Sequence, residues 1–165
     1  MIGAKPGQHV VVFGVGDGGL AAAVALVTGL NGRTLVADSS ADAIQRVDGA
    51  AAKAGALVES INGPLTTLPL ESGTFDIAVL HHTMTAADPS AMIAEAARVL
   101  RDGGRLLVIE GEGRPGMLGR FRRPPGPSLS GDAVRDLLEA SGLRAARVLG
   151  ESDGFVYVEG VKPRG

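Results

Sequence analysis

Short apolar runs alternate along this chain with longer stretches in which apolar and polar positions mix at helical spacing. His9–Phe13 (HVVVF) is continuously apolar after its first residue, which predicts a central strand buried on both faces. The glycine-rich stretch 14–19 follows as a turn, and residues 20–28 (LAAAVALVT) predict a helix that stops at Gly29, Asn31 and Gly32. Residues 33–37 (RTLVA) predict a second strand ending at Asp38. Ser40 or Ser39 can cap a helix over Ala41–Ala54, with Gly55 as its stop. A third strand is expected over 56–60 and a fourth over 75–80. Asp88 followed by Pro89 is a helix-start signature, and the pattern carries that helix to Arg101 before a turn at Asp102-Gly103-Gly104. Residues 105–110 (RLLVIE) read as a fifth strand.

The alternation then breaks. Residues 111–127 are rich in Gly, Pro and Arg and read as a loop, and residues 130–140 read as a helix with a Ser cap and Gly142 as its stop. Two further strands, 143–149 and Phe155–Val161, are joined by a turn over 150–154 too short for a parallel crossover, so they must pair antiparallel. The whole reads as one α/β domain over residues 1–165, with no internal repeat and no linker of domain length.

Composition narrows the chemistry. The chain has no cysteine, which excludes disulfides, thiolate zinc sites and a cysteine nucleophile. No apolar run approaches the roughly 18 residues of a membrane span. The first strand starts near residue 9 with no secretory leader pattern before it, so a cytoplasmic location is expected. A formal net charge of -2 and 3% aromatic residues offer no general attraction for nucleic acid and no stacking platform. Nothing has the spacing of a metal site.

Gly14-Val15-Gly16-Asp17-Gly18-Gly19 lies between a buried strand and a helix. Glycines there permit a sharp turn and close approach of a ligand to the backbone, and the helix start adds free N–H groups and a positive dipole end. Asp38 closes the next strand, where a carboxylate can accept hydrogen bonds from both hydroxyls of a ribose. The loop alone fits two nucleoside-binding families. Gly14, Gly16 and Gly19 satisfy the G-x-G-x-x-G of dinucleotide-binding domains, which would make the chain an NAD-type oxidoreductase.

The rest of the chain resembles a second family, the class I methyltransferases, and specifically the small-molecule "type 11"-like group. Lys5-Pro6-Gly7 with the strand and glycine bend that follow, and Asp38-Ser39-Ser40, resemble its first motifs. Residues 68–76 (LPLESGTFD) resemble its approach to the fourth strand, and residues 97–106 (ARVLRDGGRL) are similar to its "ARVLKPGGRL" segment. The resemblance implies a Rossmann-like three-layer sandwich around a seven-stranded, mostly parallel sheet whose seventh strand is antiparallel. It implies S-adenosylmethionine as cofactor and methyl transfer to a small-molecule acceptor.

Residue by residue, the resemblance places Gly14, Val15, Gly16 and Gly18 against the methionine part of the cofactor, Asp38 on the ribose and Ser39 beside the adenine. His81 falls where the family backs the methionine portion. Counting back from Leu68-Pro69, the acid that usually meets the adenine amino group corresponds to Pro64, with Leu65 as its neighbour. Two departures stand out. Val12 occupies the position of an acid that helps hold the cofactor's amino group, and Pro64 has neither a charge nor an N–H. With eight residues before the first strand, the covering helices of many relatives are missing, so an open site is expected. A second copy of the chain covering it, as a homodimer, is compatible with that expectation.

Methyl transfer from a sulfonium needs chiefly positioning, and a general base only when the acceptor arrives protonated. His81 and His82, at the carboxyl end of the fourth strand, are the candidates for that base; packing against the cofactor or the sheet is their alternative role. Arg120, Arg122 and Arg123, with Arg114 nearby, are candidates to clamp an anionic group on the acceptor, with Met117, Leu118 and Phe121 closing over it. The alternative is a solvated loop. Asp17, Asp42, Asp48 and Glu59 read as surface charges, and His9 as a strand-edge residue. Val12 and Pro64 also motivate a different functional class, a methyltransferase-like domain that binds or assembles without catalysing.

Overall fold

The computed structural model describes residues 2–16, 18–84, 88–111, 129–152 and 154–165. Their elements run β1 (His9–Phe13), α1 (Gly19–Thr28), β2 (Arg33–Asp38), α2 (Ala41–Ala54), β3 (Glu59–Asn62), β4 (Phe75–His81), α3 (Pro89–Val99), β5 (Leu100–Gly111), α4 (Gly131–Ala140), β6 (Arg144–Ser152) and β7 (Phe155–Val161). The strands form a seven-stranded sheet in the order β3-β2-β1-β4-β5-β7-β6. β1 to β5 pair in parallel, and β7 runs antiparallel between β5 and β6. The chain order therefore reverses beside β1, between the β2 and β4 sides. In open sheets of this kind that switch point is where ligands bind, at the carboxyl ends of the strands.

Both faces of the sheet are covered. Met92, Ile93 and Ala96 of α3 and Val134 and Leu138 of α4 pack on one face with Val11, Phe13, Leu80, Leu106 and Val108. Ala21 and Val24 of α1 and Ala43 and Val47 of α2 pack on the other with Val10, Val12, Val79, Leu107 and Ile109. Alternate residues of β1 belong to different cores, which is why its sequence has no polar face. The helix signals act as their chemistry requires. Ser40 Oγ accepts the Ala43 N–H at 3.3 Å, Asp88 Oδ1 accepts that of Ala91 at 2.8 Å, and Ser130 Oγ accepts that of Ala133 at 3.3 Å. Ser40, not Ser39, is the cap of α2.

Several boundaries differ from the sequence expectation, most of them by one or two residues. α3 ends at Val99 rather than Arg101, because Leu100 turns extended to pair with Phe75. Asp102-Gly103-Gly104 then lies inside β5 as an irregularity, across which the register resumes at Ile77↔Arg105. Gly104 suits that kink: a Cβ there would sit 2.8 Å from the Arg101 carbonyl oxygen. β3 starts at Glu59, not Ala56, since pairing with β2 begins only at Leu35↔Glu59. β6 runs on to Ser152, so Gly150 is a strand residue at a register shift rather than part of the turn.

Among the described residues no helix is long and apolar enough to cross a membrane.

Candidate cofactor site at the glycine bend

The carboxyl ends of β1, β2 and β4 converge on the bend after Phe13. Gly14, Gly16 and Gly18 have φ of 78°, 56° and 82°, a region that L side chains enter at a cost of about 1–2 kcal/mol. Each is confined differently. A Cβ on Gly14 would run into the His81 carbonyl oxygen and come within 2.9 Å of the Thr83 methyl. A Cβ on Gly16 would meet the His81 imidazole, 2.7 Å from Cε1. One on Gly18 would meet the backbone of Val47 and Arg46 in α2, at 3.0 and 3.1 Å. Gly18 thus lets α1 start close against α2, while Gly14 and Gly16 let β4 and its histidine approach the bend.

Asp38 joins the bend to the β2 end. Its Oδ2 accepts the Val15 N–H at 3.1 Å and its Oδ1 accepts the Ser40 N–H at 2.8 Å. A carboxylate has about four acceptor positions, so two bonds leave capacity for two more donors. The Asp38 backbone carbonyl is held from the other side by Gly63 N–H and Asn62 Nδ2, both at 3.0 Å. Ser39 is exposed beside it. The bend, Asp38 and the β3 end are therefore one hydrogen-bonded unit.

Pro64 is exposed on the segment leaving β3, and Leu65 is half-buried against the α3-side core. That segment is fastened from α3 by a pair the sequence reading did not single out. Glu95, buried at 6% exposure, accepts the Leu68 N–H at 2.7 Å through Oε1. Arg98 forks onto both Glu95 oxygens at 2.7 Å and also donates to the Leu68 and Leu70 carbonyls and to Ser72 Oγ. The Arg98 fork holds the Glu95 carboxyl below its ordinary range; burial opposes this and the Leu68 N–H assists it. The i,i+3 spacing of an acid and an arginine on a helix was the available signal.

His81 is buried at 9% exposure, with its ring against Gly16. His82 is exposed, has a φ of 55°, and stacks at a tilt on His81 with centroids 4.2 Å apart and edge-on to Phe155 at 5.4 Å. Both histidines stand at the mouth of the bend. Beyond them, the Met84 N–H donates to Oε2 of buried Glu110 at 3.1 Å, and Thr83 Oγ1 is buried with no hydrogen-bond partner. Val12, 1% exposed, belongs to the α1-side core. Asp17 and the loop arginines Arg114, Arg120, Arg122 and Arg123, with Met117, Leu118 and Phe121, lie outside the described residues.

At the opposite end of the sheet, a groove of about 570 Å³ runs past His9, Thr74 and Arg101. Its carboxylate, Asp76, is engaged by the His9 N–H at 2.7 Å and by Arg101 at 2.6 Å, so it ties β1 to β4. Among the described residues no group of three or more potential metal ligands is present.

Residues 11–108, more than half of the chain, match the family described as the methyltransferase domain. The chain belongs to that family. The match sets aside the dinucleotide-binding alternative that the glycine bend alone left open. The domain is 31% identical over 112 residues to the ubiquinone/menaquinone biosynthesis C-methyltransferase UbiE of Shewanella halifaxensis, covering 66% of this chain and 44% of that protein. It is 32% identical over 109 residues to a demethylmenaquinone methyltransferase of Mycolicibacterium gilvum, covering 66% and 43%. The methyltransferase domain here thus spans less than half the length of these curated relatives. In fold it is similar to a SAM-dependent methyltransferase from Aquifex aeolicus, with a TM-score of 0.81, 22% identity, and coverage of 98% of this chain and 85% of that one.

Proposed function

We propose that this methyltransferase domain binds S-adenosylmethionine across the Gly14–Gly18 bend and transfers its methyl group to a small-molecule acceptor. The observation that carries the proposal is Asp38. Its carboxylate is aimed at the bend through Val15, is braced by Ser40, and keeps acceptor capacity for two ribose hydroxyls. Gly14 and Gly16 supply the close backbone approach, and the α1 start supplies a positive dipole end. When bound, the cofactor supplies an electrophilic methyl group on a sulfonium. The chain's own residues hold the ribose (Asp38), border the adenine (Ser39, Pro64, Leu65) and wall the bend from the β4 side (His81). His82, exposed at the mouth, is the histidine placed to take a proton from an acceptor. The names of the curated relatives make a demethylated quinol the first acceptor to assay.

A second reading, binding or assembly without catalysis, is favoured by two particular positions. Val12 is locked in the apolar core where the family's acid would meet the cofactor's amino group, and Pro64 offers the adenine no donor or acceptor side chain. Each missing charge-assisted bond weakens binding by about 1.5–3 kcal/mol.

Calorimetric titration with S-adenosylmethionine, S-adenosylhomocysteine and NADH tests the proposal. Micromolar binding of the first two, lost in Asp38→Ala with the far-UV circular dichroism unchanged, is the expected result. No binding at millimolar concentration overturns it, and binding without turnover of any quinol or other acceptor moves the domain to the second reading.

A further inference from the structure

α1 is apolar on both of its faces. Its residues (GLAAAVALVT) include no charged side chain, and neither its first turn carries an acid nor its last turn a base. Ala21, Val24 and Ala25 are buried, as the sheet-facing side of a crossover helix requires. The outer side of such a helix is ordinarily polar, and here it is not. Ala23, Leu26 and Val27, at i, i+3 and i+4, are exposed, Leu26 at 58% and Val27 at 47%. Leu30, just past the Gly29 cap, is 87% exposed. A helix that is apolar all round is normally covered all round, so this outer face lacks its cover. The adjacent helix presents a different surface. α1 and α2 are consecutive crossovers between the parallel strands β1, β2 and β3, so they run in the same direction, and Gly18 lets them approach closely. The exposed positions of α2 are small or charged: Asp42 in its first turn, Gly49 and Ala52 further along, and Lys53 in its last turn.

We propose that two copies of this chain associate through this face, α1 against α1 about a two-fold axis, with the paired helices antiparallel. Three features favour a second copy as the cover. A two-fold axis sets groups near it opposite their own copies, so a charge there would meet a like charge, and α1 has none. Small and large side chains are available to interlock: antiparallel packing can set Ala23 of each copy against Leu26 or Val27 of the other. The charges on α2 are also self-complementary. Because α1 and α2 run the same way, the antiparallel arrangement reverses α2 against its counterpart and brings Asp42 toward Lys53 of the partner subunit, twice over. A rim that carries both signs in this way suits a copy of itself better than an anionic lipid surface, which would select cations alone. The proposal is independent of the cofactor reading, which concerns the other end of α1.

Sedimentation velocity of the full chain over about 5–500 µM tests this, since self-association follows concentration. Two short helices per copy make a small interface, so a reversible dimer with a dissociation constant on the order of 10–100 µM is expected. Leu26→Glu should weaken it by about a hundredfold, because it buries two carboxylates beside the axis. The far-UV circular dichroism of the dilute protein should not change, as the substitution lies on the surface of the single copy. Lys53→Asp should weaken association by about tenfold by setting acid against acid, and the exchange Asp42→Lys with Lys53→Asp should restore it to within about threefold of the parent. A protein that stays monomeric at every concentration overturns the proposal. So does a dimer that Leu26→Glu leaves intact, or a charge exchange that fails to restore association. Sedimentation of a monomeric protein with phosphatidylglycerol vesicles, abolished by Leu26→Glu, overturns it in favour of a lipid surface.

Discussion

Replacing Arg98 by alanine isolates the fastening of the segment between β3 and β4. The change leaves Glu95, whose side chain is 7% exposed, with one hydrogen bond from Leu68 in place of three. It also removes the Arg98 bonds to the Leu68 and Leu70 carbonyls and to Ser72, the Leu68 carbonyl keeping the Leu70 N–H at 2.7 Å. Breaking a fully buried ion pair costs about 3–5 kcal/mol, and an exposed one about 0–1. The Arg98 side chain is 36% exposed, so the carbonyls can partly rehydrate, and the expected loss is between these, about 2–3 kcal/mol. For a domain of this size that lowers the melting temperature by about 4–12 °C. The chain has no tryptophan and one tyrosine, so urea unfolding is followed by far-UV circular dichroism. The midpoint should fall with the slope unchanged. The pH dependence has a definite sign. The folded-state pKa of Glu95 is depressed from its ordinary value of 4.5, so its contribution is fully present above that value and is lost as the pH falls through the depressed one. Arg98→Ala removes the largest cause of that depression, so the difference between the two proteins should shrink as the solution is acidified below 4.5. A variant within about 0.5 kcal/mol of the parent at pH 7, or a difference that grows on acidification, refutes this reasoning.

Further expectations concern the bend and its neighbours. Gly14→Ala should cost about 3 kcal/mol, from left-handed strain together with overlap on the His81 backbone, whereas Gly7→Ala, at φ 81° but with open space around it, should cost only the strain of about 1–2 kcal/mol; thermal unfolding compares the two. Pro64→Asp puts a carboxylate at the exposed position proposed to border the adenine and should tighten S-adenosylhomocysteine binding by about tenfold in calorimetry, with no gain for a ligand lacking adenine.

The sequence displayed the bend, Asp38 and the helix caps because each is a local device. Glycines at positive φ, a carboxylate at a strand end and a Ser or Asp three residues before a free N–H act within a few positions of one another. The final hairpin was legible for the same reason, since a short connection admits only antiparallel pairing. That β7 inserts between β5 and β6 was not drawn from the pattern, although the apolar FVYVEGV of β7 suits the inner position better than the RAARVLGES of β6, which is exposed along nearly its whole length. The end of α3 was misplaced because Leu100 is a good helix former overridden by its pairing with Phe75, twenty-five positions away. In the site, Glu95–Arg98 was hidden because its significance depends on burial. An acid and an arginine one turn apart usually form a solvated pair. Asn62 was likewise unremarked until β3 was seen to end beside the Asp38 carbonyl.

The claim on which the functional account depends is where the nucleoside lies. Backbone amide shifts of the ¹⁵N-labelled protein, followed on addition of S-adenosylhomocysteine, locate it. The account predicts that the largest changes fall on Val15, Gly16, Gly18, Ser40 and Gly63, around the Asp38 carboxylate. Changes centred instead on Gly7, His9, Gly73 and Thr74, at the opposite end of the sheet, would contradict it.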